Sequence, residues 1–108
     1  MISITDFSSI TDASIHLLTQ FVNIESPSTD KFAVDRLGSS LVVELASLGA
    51  VVQIDQQASV GNNIIAKWNP SDSGNGILLL SHMDTVFELG TLHHRPIRTE
   101  NNRLLSGG

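Results

Sequence analysis

The sequence predicts a mixed α/β architecture, with helices covering a small sheet. Three observations carry this. Two stretches in the first half place apolar residues three and four positions apart, the period of a helix face. Two short runs rich in Val and Ile follow, joined by a turn too brief for a parallel crossover. A third run, Ile77-Leu78-Leu79-Leu80, is apolar without alternation, the pattern of a strand buried on both faces.

The first helix is expected over residues 11–21, with Ile15, Leu18 and Val22 on one face. Thr11 or Ser9 suits its N-cap, and Asp12 suits its positive end. His16 falls inside it and reads as a solvated or locally bonded side chain. Glu25-Ser26-Pro27-Ser28-Thr29-Asp30 is a turn, because Pro27 disfavours helix at Ser26. Thr29 or Ser28 then caps a second helix over residues 30–48. Its stripe is Val34, Leu37, Leu41, Leu45 and Leu48, and Gly49 stands where a left-handed C-cap belongs. Gly38, in mid-helix, either weakens the helix by about 1 kcal/mol or lets a neighbour approach closely.

Residues 51–56 and 63–68 read as antiparallel strands around a turn at 57–62. The loop at 69–76 is dense in Asn, Pro, Ser, Asp and Gly. The third strand, residues 77–81, is expected to run parallel to the first and to lie centrally in the sheet. Beyond it the pattern is irregular until Pro96. Ile97-Arg98-Thr99 and Arg103-Leu104-Leu105 then flank a turn at Glu100-Asn101-Asn102, a β-hairpin signal.

Composition narrows the function. The 108 residues suffice for one small domain. Eleven acidic residues against six basic ones give a net charge of −5, with no Lys/Arg cluster to neutralise phosphates, which argues against nucleic acid as a partner. There is no cysteine, so a transition metal would be held by His, Asp and Glu. The first Lys or Arg is Lys31, so no basic segment precedes an apolar one near Met1, and no apolar run approaches a membrane span. The expectation is a cytoplasmic protein without a membrane partner. No glycine-rich phosphate loop links a strand to a helix, which disfavours nucleotide binding.

The chemistry concentrates at the end of the third run. Strand residues two apart share a face, so His82 and Asp84 would emerge together at the carboxyl edge of the sheet. A neutral imidazole binds zinc through one nitrogen, and its other N–H commonly donates to a carboxylate that fixes the tautomer. His-x-Asp alone is weakly specific, and a histidine at a strand end is more often a hydrogen-bonded structural residue than a ligand. Other polar residues attract weaker functional readings. His93-His94 reads as a solvated loop, Glu25 and Glu88 as surface acids before general bases. Asn62 and Asn63 read as turn residues, Trp68 as packing, and Arg95, Arg98 and Arg103 as the solvated side of the hairpin.

A wider pattern sharpens this. Ser81-His82-Met83-Asp84-Thr85-Val86, directly after an apolar run, resembles the first metal motif of the M20 family of zinc peptidases and deacylases. Gly61-Asn62-Asn63-Ile64-Ile65-Ala66, Ile24-Glu25-Ser26-Pro27-Ser28, and the stretch from Phe87-Glu88-Leu89-Gly90 through Pro96 to Gly107-Gly108 are similar to family segments in matching order. The likeness covers nearly the whole chain and is nearest to the glutamate carboxypeptidase branch. It implies the N-terminal portion of a mixed-sheet α/β/α zinc-exopeptidase catalytic domain. His82 would ligate one of two zinc ions, and Asp84 would orient it as a catalytic-site carboxylate. The remaining ligands, a general-base glutamate and the lid and dimerisation domain would lie outside these residues. The implied reaction is metal-assisted amide hydrolysis of a peptide or N-acyl amino acid, by a complete enzyme that would be a homodimer. The 108 residues alone are expected to be inactive. An N-acyl amino-acid deacylase and a non-enzymatic binding module are the alternatives.

Overall fold

A computed structural model describes residues 4–108, with side chains from Ile10 onward. Residues 1–3, part of the stretch read above as lacking a leader, lie outside the described residues, as does the side chain of Ser9. Helix α1 spans Ile4–Val22 and so begins well before residue 11. No Gly or Pro interrupts residues 4–11, and Thr11 and Ser9 therefore lie within the helix instead of capping it. Ser14 and Thr19 donate back to the carbonyls of Ile10 and Ile15, and His16 pairs locally with Gln20. The expected apolar face is only loosely covered: Ile15 and Leu18 are about half exposed.

Helix α2, Lys31–Ser47, carries the core. Its N-cap is Asp30, not Thr29 or Ser28; the Asp30 carboxylate accepts the Ala33 amide at 2.9 Å. The Ser28 hydroxyl is engaged elsewhere, as described below. At the other end Gly49 adopts φ 84°, as expected. Its amide donates to Ala46 and that of Ala50 to Leu45, the paired bonds of a Schellman motif. The helix buries the apolar side chains of Ala33, Val34 and Leu37. Leu41 and Leu45 are half-buried, and Leu48 is exposed.

Strands β1 (Val51–Asp55) and β2 (Asn63–Lys67) pair antiparallel, with Gln53 opposite Ile65. α2 lies against this hairpin through Gly38, where an added Cβ would come within 3.2 Å of Ile64 Cδ1 and 3.6 Å of Met83 Cε. Close approach is thus the role of that mid-helix glycine. Gly61 serves the same purpose, since a Cβ there would collide with the Val34 side chain. Trp68 is more than packing: its indole N–H donates to the Leu48 carbonyl at 2.9 Å, tying β2 to the end of α2.

Residues 77–81 differ most from expectation. They form no strand, and Ile77, Leu78, Leu79 and Leu80 are between 79% and 92% exposed. An apolar run becomes a strand when a neighbour pairs with its backbone, and no described strand runs beside this one. The chain regains a partner at Thr85, which forms a parallel bridge with Pro27. Helix α3 (Thr91–His94) follows Gly90, whose φ is 92°. Strands β3 (Arg98–Glu100) and β4 (Arg103–Leu105) form the expected hairpin. Asn101 and Asn102, at φ 50° and 57°, make its two-residue turn, the positive-φ pair that matches strand twist.

The mixed α/β class holds, with two separate two-stranded antiparallel sheets among the described residues. The molecule is flat, 47 × 43 × 19 Å, with a Cα radius of gyration of 16.0 Å. A compact domain of this length would have about 13 Å.

Candidate functional site

The site forms where the turn after α1 meets the segment that follows the leucine run. Two backbone bonds join them: the Thr85 amide donates to the Ser26 carbonyl at 2.8 Å, and the Ser28 amide to the Thr85 carbonyl at 2.9 Å. Pro27, between them, is buried, and its fixed φ suits an extended bridge position. Both flanking serines add a side-chain bond. Ser26, 1% exposed, donates its hydroxyl to the Met83 carbonyl at 2.9 Å. Ser28 donates to Asp84 Oδ2 at 2.6 Å, with the Thr85 carbonyl also within reach at 3.0 Å.

His82 and Asp84 are brought together. His82 Nδ1 lies 3.5 Å from Asp84 Oδ1, while the imidazole is 93% exposed. That separation is long for a direct hydrogen bond but leaves the carboxylate facing the ring nitrogen. The Ser28 hydroxyl holds the Asp84 carboxyl below its ordinary range, against the opposing effect of desolvation; the peptide amide of Asp84 itself and the nearby His82 ring contribute less. Asp84 is thus a carboxylate with one oxygen bound to a serine and the other facing an imidazole.

Two clefts flank residues 81–84. One, about 760 Å³, opens toward β2 and is walled by Leu41, Leu45, Ile64 and Leu80. The other, about 300 Å³, opens toward α1 and is walled by Leu18, Phe21, Leu37 and Met83. Apolar walls beside an exposed imidazole and a carboxylate are the usual make-up of a binding site.

Asn62, read from sequence as a turn residue, braces the larger cleft. Its amide donates to Asp35 Oδ1 at 2.7 Å, and its side-chain oxygen accepts from Lys31 Nζ and the Gln57 amide, each at 2.8 Å. Lys31 also meets Asp35 at 2.9 Å. The Asn62 amide, then Lys31, lower the Asp35 pKa. Glu25 is not a free surface acid either. Its carboxylate accepts the Gly90 and Leu92 amides, each at 2.9 Å, and so caps α3 from 65 residues away. Those bonds, that of Gly90 foremost, lower its pKa. His93 and His94 make a T-shaped ring pair at 5.2 Å and remain exposed, and Arg95 lies over the Phe87 ring at 5.0 Å.

Ser26 and Ser28 are the residues that sequence reading missed as parts of the site. Serine beside proline is ordinary turn composition, and nothing periodic links it to a segment 56 positions later. As for a metal, an imidazole with a carboxylate near its other nitrogen suits one corner of a zinc site. One corner does not hold an ion, and the described residues contain no cluster of three or more His, Asp or Glu side chains placed to do so.

No protein-family profile matches the chain. Carboxypeptidase G2 of Pseudomonas sp. (strain RS-16) is 37% identical to it over 98 residues, covering 89% of this chain. The chain spans 23% of that protein's length. This similarity relates the chain to a peptidase-like hydrolase. No described helix is long and apolar enough to cross a membrane.

Proposed function

We propose that these residues form the N-terminal part of the catalytic domain of an M20-type zinc carboxypeptidase, of the glutamate carboxypeptidase kind. The carrying observation is the similarity to Carboxypeptidase G2 across 89% of the chain. The pairing of His82 with Asp84 agrees with it. In this reading His82 offers Nε2 to a metal, and Asp84 keeps the proton on Nδ1. The leucine-walled cleft beside them borders the substrate. Zinc, held by a full ligand set, would polarise the scissile carbonyl and activate water for amide hydrolysis. His82 is one donor of that set, so the 108 residues alone should show no measurable hydrolase activity.

A chimera tests this. The chain is built in place of the matching stretch of Carboxypeptidase G2, and zinc-dependent release of a C-terminal glutamate from an N-acyl dipeptide-like substrate is measured. Turnover is expected, with His82→Ala lowering kcat/KM by at least about 100-fold, the scale on which loss of a metal's surroundings acts. An equally active His82→Ala chimera, or zinc-dependent turnover by the unextended chain, would sink the reading.

A further inference from the structure

We propose that Ser28 is a positioning residue, which holds the Asp84 carboxylate so that its free oxygen faces Nδ1 of His82. The inference rests on the reading of His82 as a nitrogen donor and adds the group that prepares it. The geometry is directional. A serine hydroxyl has a single proton, and Asp84 Oδ2 at 2.6 Å is its nearer acceptor, the Thr85 carbonyl at 3.0 Å its farther one. A hydroxyl-to-carboxylate bond of this length belongs to the strong, charge-assisted class. With Oδ2 engaged, rotation of the Asp84 carboxylate is restricted, and Oδ1 stays 3.5 Å from the imidazole. Ser28 is placed for this by backbone bonds that do not involve its hydroxyl: its own amide to Thr85, and the Thr85 amide to Ser26.

Ser26 provides an internal contrast. It sits in the same turn and donates to the same segment, but to the Met83 carbonyl, with no hydrogen bond to the carboxylate. If the turn acted only as a structural clasp, the two serines would be equivalent. If Ser28 positions the carboxylate, they differ in one property, the proton on the ring of His82. A carboxylate near Nδ1 favours the Nδ1–H tautomer and leaves Nε2 with its lone pair. A free imidazole favours the opposite tautomer.

The test is long-range nitrogen–proton NMR of the 108-residue chain without metal, at pH 8, where a free imidazole is neutral. The wild type is expected to hold His82 mainly as Nδ1–H. Ser28→Ala should lower that population at least about twofold, Ser26→Ala should leave it unchanged, and Ser28→Thr, which keeps the hydroxyl, should restore it. The proposal fails if Ser28→Ala keeps the wild-type ratio, or if the two alanine variants shift it equally. Should Ser28→Ala instead lose the Thr85 bridge, seen in the Ser28 and Thr85 amide shifts, Ser28→Thr decides. A wild-type ratio there supports the proposal, and a shift toward Nε2–H overturns it. None of these readings needs a bound metal, so failure of the zinc reading in the chimera and failure of this one are seen separately.

Discussion

Glu25 shows how a single side chain acquires a role through geometry. Its carboxylate accepts two amides at the start of α3, which draws its pKa down, the Gly90 bond acting most. A folded pKa below the unfolded one means that the charged form favours the folded arrangement. Its contribution is therefore complete above the ordinary Glu pKa of about 4.3 and is lost as pH falls through the lowered folded value. Titrating the Gly90 and Leu92 amide shifts from pH 6 to pH 2 should show them move together in the lower part of that range. Glu25→Gln should abolish the step; a step that persists in that variant would assign it to another group. Glu25 and Asp84 were visible in the sequence as acids, whereas their partners were not. Acceptors choose donors by distance in space, and a pairing across 56 or 65 residues leaves no mark on local spacing.

At the scale of elements, α2 and the two hairpins follow closely from sequence, because each is specified by neighbours. The 3-4-4-3 stripe predicted α2 to within a residue at each end, and Gly49 predicted its left-handed stop. The space around Gly49 is open, so a substitution there tests backbone conformation alone. Gly49→Ala should destabilise the fold by about 1–2 kcal/mol, read as a lowered urea midpoint at constant slope. An unchanged midpoint would mean that the Schellman motif does not stabilise α2. The start of α1 was misplaced because Ser and Thr cap helices but also sit inside them, and only hydrogen-bond geometry separates the two. The third strand failed for a different reason. Four apolar residues state that burial is favourable, not which surface will provide it.

The whole molecule is thin, 19 Å along its short axis, and among the described residues Ala33, Val34 and Leu37 are the only buried members of the Ala, Val, Leu, Ile, Met and aromatic set. Residues 77–80 lie outside that group, and their backbone is not paired into a sheet. Unpaired apolar backbone is a template for pairing with another chain. Sedimentation velocity should therefore show concentration-dependent association of the wild type. A double variant, Leu78→Asp with Leu80→Asp, should sediment as a monomer with an unchanged circular-dichroism spectrum. A monodisperse wild type at tens of micromolar would contradict this.

The turn at residues 25–28 also bears on the order of events in folding. Its bonds close loops of 56 to 67 residues, to Met83, Asp84, Thr85, Gly90 and Leu92. Closing a loop of that size costs roughly 3–4 kcal/mol in chain entropy, before any constant term. α2 and the β1–β2 hairpin close far shorter loops and are free to form earlier. The turn should then dock after the rate-limiting step. Ser26→Ala would speed unfolding and leave the folding limb of a chevron plot in place. A slowed folding limb would instead put the clasp inside the folding nucleus, with His82 and Asp84 assembled before the rest of the molecule.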